Sequence, residues 1–128
     1  MQVDDPEVLA EVEDAFRRYE AALLANDVEA LNGFFRQAPE TLRFGVAENL
    51  FGHEAIAAFR GRPRAYDYER ALSGTVITTY GRDFAIANTL FRRPSMAGRV
   101  GRQSQSWVRF PEGWRVVAAH VSIIDEPG

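Results

Sequence analysis

The sequence predicts an α+β domain in which helices pack into the hollow of a strongly curved antiparallel sheet. The N-terminal part carries apolar residues at helical spacing, and the C-terminal half carries successive runs of β-branched and aromatic residues. Helices followed by consecutive strands are typical of the α+β class. The length of 128 residues and the 46% hydrophobic share suit one domain. We therefore expect residues 1–128 to form a single cone-shaped domain with a pocket at its wide end.

The first helix is predicted from its start signal and its apolar stripe. Asp5-Pro6-Glu7 combines a capping carboxylate, a proline suited to the first turn and acidic residues at the positive end of the helix dipole. We expect Glu20 and the other charged residues of this segment to face solvent. Apolar residues recur every three or four positions over about five turns, at Val8, Val12, Phe16, Tyr19 and Leu23.

Two shorter helices and one short strand are predicted next. Asn26-Asp27 ends the first helix and caps a second one over residues 28–35. Residues 41–45 have the composition of a short strand. A turn at Gly52-His53, in which His53 is expected to act as a cap, precedes a third helix over residues 54–60.

Four longer strands complete the predicted fold, over residues 76–80, 84–91, 104–110 and 114–124. Breaks that contain glycine or proline separate these strands and suit hairpin turns, at 81–83, 94–98 and 111–113. Consecutive hairpins predict antiparallel pairing. The outer face of the sheet carries further apolar residues, from which we expect a homodimer.

Composition excludes several kinds of chemistry. The chain has no cysteine, which excludes disulfides, thiolate nucleophiles and cysteine-based zinc sites and suits a reducing cytoplasm. All 15 basic residues are arginine, so lysine Schiff bases are excluded. Every basic side chain carries a planar guanidinium, which can bind a carboxylate through two hydrogen bonds. Two histidines without metal-ligand spacing predict neither a metal nor another cofactor.

The net charge and the hydropathy limit which cellular locations and which kinds of partner we expect. The net charge of −3 and the pI of about 5.4 do not suit a general nucleic-acid binder. The first residues are acidic, and no apolar run approaches the roughly 18 residues that a membrane span needs. We expect a cytoplasmic protein without a signal peptide and without a membrane or nucleic-acid partner.

The order of elements and four sequence blocks carry a family resemblance. The most specific feature is the combination of two separate blocks, Gly-His-Glu-Ala-Ile at 52–56 and Gly-Arg-Gln-Ser-Gln at 101–105. The chain resembles the nuclear transport factor 2-like superfamily and, more closely, its AtzH/HpxZ-like branch of small bacterial proteins encoded beside amidases of cyanuric acid or oxalurate breakdown. The four blocks are Leu42-Arg43-Phe44-Gly45, residues 51–60, residues 101–109 and residues 113–122.

The resemblance implies an activity and two catalytic residues. It implies a decarboxylating amidohydrolase that removes one N-carboxyl group from 1,3-dicarboxyurea and leaves allophanate. It also implies roles for a tyrosine on the first helix and an arginine on the first strand, which are Tyr19 and Arg43 here.

The residues themselves leave both roles open. Tyr19 lies in the apolar stripe, so its hydroxyl needs a partner inside, either as a core hydrogen bond or as a general acid. Arg43 lies between Leu42 and Phe44 and points to the opposite face of the strand from both. If those two pack under the helices, Arg43 reaches the pocket only where the strand crosses its mouth, and otherwise faces solvent. In the pocket its fork would hold a carboxylate through two hydrogen bonds.

Polar residues on the predicted strands complete the candidate substrate-binding site. Gln103 and Gln105 alternate with serines along one strand, and either set offers polar groups that an ordinary core would not choose. Asn88 on the preceding strand, and His120 and Ser122 on the last strand, are predicted to line the pocket with them. His120 and Ser122 lie two positions apart with no orienting acid, so they do not form a catalytic triad.

The cluster Arg60, Arg62 and Arg64 follows the third helix, and two interpretations fit it. The cluster is either a positive gate that steers an anionic substrate or a solvated loop.

We expect a cofactor-independent enzyme that acts on a small N-carboxylated urea. In it, Arg43 anchors a carboxylate of this small anionic substrate, and Tyr19 gives a proton to the nitrogen as the N–carboxyl bond breaks. Two other functions remain open. One is a non-catalytic binding or assembly partner of an amidase. The other is an isomerase or dehydratase of the ketosteroid type, which needs a base deep in the hollow, where the strands offer only His120.

Overall fold

The computed structural model describes residues 1–64 and 69–127, and these contain three helices and six strands. The helices are α1 (Pro6–Ala25), α2 (Val28–Phe34) and α3 (His53–Arg60). The strands are β1 (Leu42–Phe44), β2 (Asn49–Phe51), β3 (Ala71–Tyr80), β4 (Phe84–Arg92), β5 (Arg99–Phe110) and β6 (Gly113–Asp125). The predicted α+β class is confirmed.

The strands form one sheet in the order β2-β1-β6-β5-β4-β3. Neighbouring strands are antiparallel, as predicted, except that β1 pairs with β6 in parallel, with Arg43 opposite Ala119. This parallel pair was not predicted, because it joins two strands that lie more than 70 positions apart in the chain. It places β1 between β2 and β6, where α3 packs against it.

Three strand boundaries differ from the prediction. The three-residue β2 was not predicted, because its strand character comes from pairing with β1 rather than from a run of β-branched residues. Strand β3 starts at Ala71 rather than at 76, and Gly74, with a φ of +59°, lies inside it at a shift in register. Strand β5 starts at Arg99 rather than at 104, since Gly101 continues the ladder opposite Phe91.

The predicted helix caps are confirmed at α1 and α2. The carboxylate of Asp5 accepts hydrogen bonds from the backbone N–H groups of Glu7 and Val8. Asn26 ends α1 in the left-handed conformation, and the Asp27 carboxylate then accepts from the N–H of Ala30. At α3 the prediction is wrong. The Nε2 atom of His53 lies 2.8 Å from the carbonyl oxygen of Asn32 in α2, so this ring joins two helices instead of capping one.

The apolar stripe of α1 packs against one face of the sheet, which we name the inner face; the opposite face is the outer face. All five predicted stripe residues are buried. Trp107 on β5 and Phe35 after α2 are also fully buried, and they fill the space between the helices and the sheet. Among the described residues, no helix is both long and apolar enough to cross a membrane.

A bulge in β6 changes which of its residues face inward. The register against β5 shifts between Ser106 and Trp107, because Val117 is an extra residue on β6. A bulge of this kind reverses the alternation of side chains and bends the strand. The inward residues therefore have even numbers before the bulge and odd numbers after it, namely Trp114, Val116, Ala119 and Val121.

Candidate functional site

A small cavity lies on the inner face, between α1, the end of α3 and the middle of the sheet. Its volume is about 30 Å³, which is room for about two water molecules. The described part of its lining includes four arginines and no aspartate, glutamate or histidine. The lining residues are Tyr19, Leu23, Arg43, Arg60, Arg70, Arg93, Gln103, Gln105, Ala119 and Val121.

Tyr19 is held rigidly at the wall of this cavity. Its side chain is 3% exposed, and its ring makes edge-on or tilted contacts with the rings of Phe34, Phe35 and Trp107 at centroid distances of 5.8, 6.2 and 6.3 Å. The hydroxyl oxygen accepts a hydrogen bond of 3.0 Å from Nη2 of Arg60. The predicted interior partner of this hydroxyl is thus an arginine side chain rather than the backbone.

Arg43 reaches the cavity because β1 lies beside β6. It is paired with Ala119, which faces inward, so Arg43 also faces inward. Phe44 lies on the outer face, where its ring meets that of His120 at 6.0 Å. The arrangement with Leu42 and Phe44 under the helices is therefore wrong, and Arg43 takes the inner position that those residues leave.

The guanidinium of Arg43 has one carboxylate partner. Its Nη1 atom donates to Oε1 of Glu48 at 2.8 Å, and both side chains are largely buried. Glu48 folds back over Gly45, where a β-carbon would come within 1.8 Å of the carboxylate. A side chain at Gly45 would therefore displace the Glu48 carboxylate from this position. The ion pair orients Arg43, and among the described residues no hydrogen bond occupies its Nε and Nη2, which are suited to bind a ligand.

Arg70 is a cavity residue that the sequence did not predict. Its side chain is 2% exposed, and its Nε and Nη2 atoms donate to the two carboxylate oxygens of Glu20 at 2.9 and 2.6 Å. Glu20 was expected to face solvent, but this ion pair places it against the sheet. The guanidinium carbons of Arg70 and Arg93 lie 4.6 and 5.0 Å from the centre of the Phe91 ring. Phe91 therefore supports two cations at one end of the cavity.

Gln103 and Gln105 face the cavity. Of the two sets of side chains that alternate along this strand, it is therefore the glutamines and not the serines that face inward. The Oε1 atom of Gln103 accepts from Arg70 at 3.1 Å, and its Nε2 is buried without a hydrogen-bond partner among the described residues. Gln105 accepts from the indole N–H of Trp107 at 3.1 Å. A buried donor without a partner is costly, so the amide of Gln103 is suited to bind an acceptor atom of a ligand. Their substrate-binding roles stay a prediction.

Three predicted pocket residues lie on the outer face instead. Asn88 accepts a hydrogen bond of 2.6 Å from the hydroxyl of Ser104, and Ser122 accepts one of 3.1 Å from Arg102. His120 is exposed beside Phe44. The prediction that Asn88, His120 and Ser122 line the cavity is therefore wrong. For the two β6 residues the reason is the bulge at Val117, which turns them outward.

The arginines that follow α3 have different surroundings. Arg60 lines the cavity, whereas Arg62 is exposed on the loop. Arg64 donates a hydrogen bond to the carbonyl oxygen of Leu23. The cluster therefore does not act as one group.

Two surface groups have shifted pKa values. A hydrogen bond from Arg18 lowers the pKa of the Asp14 carboxyl on the solvent side of α1. A hydrogen bond to Asp83 raises the pKa of Arg109. Among the described residues, no group of three or more histidine, aspartate and glutamate side chains is arranged to hold a metal ion. The cavity therefore offers a phenol, guanidinium groups and amides, which suit a small anion.

The chain is similar to several solved structures. One is a protein of unknown function from Pectobacterium atrosepticum, with 52% identity, coverage of 96% of this chain and 95% of that chain, and a TM-score of 0.91. Another is a cystatin-like fold protein from Burkholderia xenovorans, with 46% identity, coverage of 99% of both chains and a TM-score of 0.94. A nuclear transport factor 2-like protein from Salmonella enterica shares 25% identity over 95% of this chain and 93% of that chain, with a TM-score of 0.70.

These similarities establish the superfamily, and the family model is more specific. No curated protein matches the sequence significantly. The fold is that of the nuclear transport factor 2-like, or cystatin-like, proteins. The AtzH-like family model matches residues 1–127, almost the full chain. The protein therefore belongs to the AtzH-like family.

Proposed function

We propose that this protein is a cofactor-independent enzyme that removes an N-carboxyl group from a small carboxylated urea, converting 1,3-dicarboxyurea to allophanate. The observation that carries the proposal is one cavity that Tyr19 and Arg43 both line, on a lining without described carboxylates. Membership of the AtzH-like family supports the choice of substrate. The proposal places the reaction in the breakdown of nitrogen-rich compounds.

The chemistry requires a proton at nitrogen and a site for negative charge. In the proposed reaction the urea nitrogen takes the hydroxyl proton of Tyr19, and the nitrogen–carboxyl bond then breaks. The electron pair of that bond stays on nitrogen, and the carboxylate leaves as carbon dioxide. Solvent returns a proton to the phenolate. A positioned general acid contributes about 100- to 10,000-fold to the rate of such a step.

Arg43 and the amide of Gln103 are proposed to bind the carboxylates of the substrate. A guanidinium binds a carboxylate through two hydrogen bonds, and the low dielectric of a buried cavity strengthens them. The volume of about 30 Å³ is smaller than a dicarboxyurea. We therefore expect the lining of the cavity to open when the substrate enters.

The test compares rates of carbon dioxide release from freshly generated 1,3-dicarboxyurea, with and without the pure protein, in a metal-free buffer. The comparison must be of rates, because the substrate also decays by itself. We expect acceleration by the wild type and a loss of roughly 100-fold or more in Tyr19→Phe. Arg43→Ala should raise KM and lower kcat/KM by removing a carboxylate partner.

Matched controls separate these effects from general damage. Tyr80→Phe removes a hydroxyl from a tyrosine that is 38% exposed, and Arg102→Ala removes a guanidinium from the outer face. Both controls should retain full turnover. Full activity in folded Tyr19→Phe and Arg43→Ala would contradict the proposed mechanism, and a wild type without acceleration would contradict the activity.

A second candidate function is a binding or assembly partner of an amidase. Two exposed apolar side chains favour it: Val46 in the turn between β1 and β2, at 54% exposure, and Phe51 at the far end of β2, at 67%. Binding of a purified amidase to the wild type, lost in Phe51→Asp, would support this function. A ketosteroid-type enzyme is not supported, because His120, its candidate base, lies on the outer face.

A further inference from the structure

Arg60 contacts the proposed proton donor directly. It is the last residue of α3, and its Nη2 donates to the hydroxyl oxygen of Tyr19 at 3.0 Å. Its guanidinium carbon lies 5.9 Å from the centre of the Phe35 ring, and its Nε is buried without a partner in residues 1–64 and 69–127. No ion pair joins Arg60 to a carboxylate within the same described ranges. No described carboxylate therefore offsets the positive charge that Arg60 places beside the phenol.

The direction of this hydrogen bond determines where the tyrosine proton points. A guanidinium has donors and no acceptor, so the Tyr19 oxygen must accept from Arg60. The single hydrogen of the hydroxyl is then left for another acceptor. Because the ring is fixed by Phe34, Phe35 and Trp107, the oxygen cannot swing away from the cavity wall. The hydrogen is thus available to a ligand in the cavity.

We propose that Arg60 is the positioning residue of Tyr19, which orients the hydroxyl proton towards the ligand and stabilises the phenolate left after proton transfer. This inference rests on the proposed function. In the reaction step, the O–H bond of Tyr19 breaks and an N–H bond forms, and the phenolate keeps the electron pair. The hydrogen bond from the charged Arg60, which until then meets a neutral phenol, now joins a cation to an anion and becomes stronger.

The other charged groups around the phenol are placed differently. Arg43, Arg70 and Arg93 also line the cavity, where Arg43 is paired with Glu48 and Arg70 with Glu20. Among the described residues, the hydrogen bond to the Tyr19 hydroxyl comes from Arg60. Replacing Arg60 therefore removes the cation in direct contact and leaves the two ion pairs intact.

The kinetic test uses Arg60→Gln, with Arg62→Gln as its matched control. Arg62 follows two residues later, in the loop after α3, and is exposed, so the control removes the same charge from a neighbouring position outside the cavity. We expect Arg60→Gln to lower kcat about 100-fold with little change in KM, as for the loss of one donor to a developing oxyanion. Arg62→Gln should match the wild type. Arg60→Lys should recover part of kcat, because it keeps a cation and a donor.

A double-mutant cycle shows whether Arg60 acts through Tyr19. In a Tyr19→Phe background, Arg60→Gln should cause no further loss of kcat, because its target hydroxyl is absent. Losses that multiply independently would overturn the proposal and assign Arg60 to substrate binding. A higher KM with an unchanged kcat in Arg60→Gln would overturn the proposal too.

A titration without substrate keeps the inference separate from the proposed function. The ultraviolet absorbance of phenolate is followed against pH in the wild type and in Tyr19→Phe, and the difference isolates Tyr19. The same pair is then measured with Arg60→Gln in both members. We expect the Tyr19 signal to appear at a higher pH when Arg60 is absent, and Arg62→Gln to leave it unchanged. The same pH with and without Arg60 would overturn the inference, whereas absent turnover with a shifted signal would contradict only the proposed function.

Discussion

A buried arginine is stable only when its charge has partners, and the environment of Arg70 shows how this protein provides them. Glu20 on α1 binds it through two hydrogen bonds, Gln103 accepts a third, and the ring of Phe91 lies against the guanidinium. Desolvation of two charges costs several kcal/mol, which good geometry and additional hydrogen bonds offset. The pair therefore fixes the position of Arg70 in the cavity rather than adding much net stability.

Breaking this pair should destabilise the fold. We predict that Glu20→Gln lowers the free energy of unfolding by about 3 kcal/mol or more, because it leaves the charge of Arg70 buried without a counter-charge. Urea denaturation measures the change. Glu13→Gln on the exposed side of α1 is the matched control and should change the free energy by less than about 0.5 kcal/mol. Equal changes in the free energy of unfolding would show that the Glu20–Arg70 pair contributes no more to stability than an exposed glutamate does.

At the scale of elements, the pairing of β4 with β5 depends on one glycine. Gly101 lies opposite Phe91, whose ring covers the place where a side chain would be. A β-carbon at Gly101 would come within 2.1 Å of the ring. The same ring supports Arg70 and Arg93, so the packing of two strands is coupled to the position of two cavity cations.

We predict that Gly101→Ala destabilises the protein by about 1–3 kcal/mol, because the fully buried Phe91 ring must move. Thermal or urea unfolding measures it. Gly33→Ala in α2 is the control: a β-carbon there meets nothing within 4 Å, and alanine favours the helix by up to about 1 kcal/mol. A stable Gly101→Ala variant would mean that Phe91 has another place to pack.

The bulge at Val117 is the element that decides the composition of the site. Without it, the inward alternation of Trp114 and Val116 would continue to His120 and Ser122. With it, Ala119 and Val121 face the cavity and leave room for the arginines. One extra residue therefore replaces a polar wall by a small apolar one.

At the scale of the whole molecule, the outer face of the sheet is not covered by any described helix. It exposes Val76 on β3 at 57% and carries Phe44 and Phe51 in edge-on contact at 5.6 Å on β1 and β2. Apolar groups of this kind favour association of a second copy of the chain.

We predict a homodimer in solution that uses this outer face. Light scattering coupled to size exclusion should give twice the chain mass of 14.4 kDa. Val76→Asp should shift the protein to the monomer, because a charge would be buried in the interface. Val46→Asp, which changes an equally exposed residue in the turn between β1 and β2, should remain a dimer. A monomeric wild type would contradict the prediction.

Much of the fold follows from local patterns. The capping residues Asp5 and Asp27 and the stripe of α1 are where the sequence predicts them, because caps and apolar periodicity act within a few residues. The short β2 and the early starts of β3 and β5 could not be predicted, since their hydrogen bonds come from partner strands.

For the site, the sequence by itself determined that Tyr19 is inside and that the glutamines and the serines of β5 lie on opposite faces of the strand, because alternation and helical spacing are local properties. Only the tertiary structure decided which face that is and which cations meet there. The contacts that assemble the cavity join distant residues: Tyr19 and Arg60 are 41 positions apart, and Glu20 and Arg70 are 50. Local periodicity shows that two faces exist, whereas long-range pairing and one bulge determine which side chains converge.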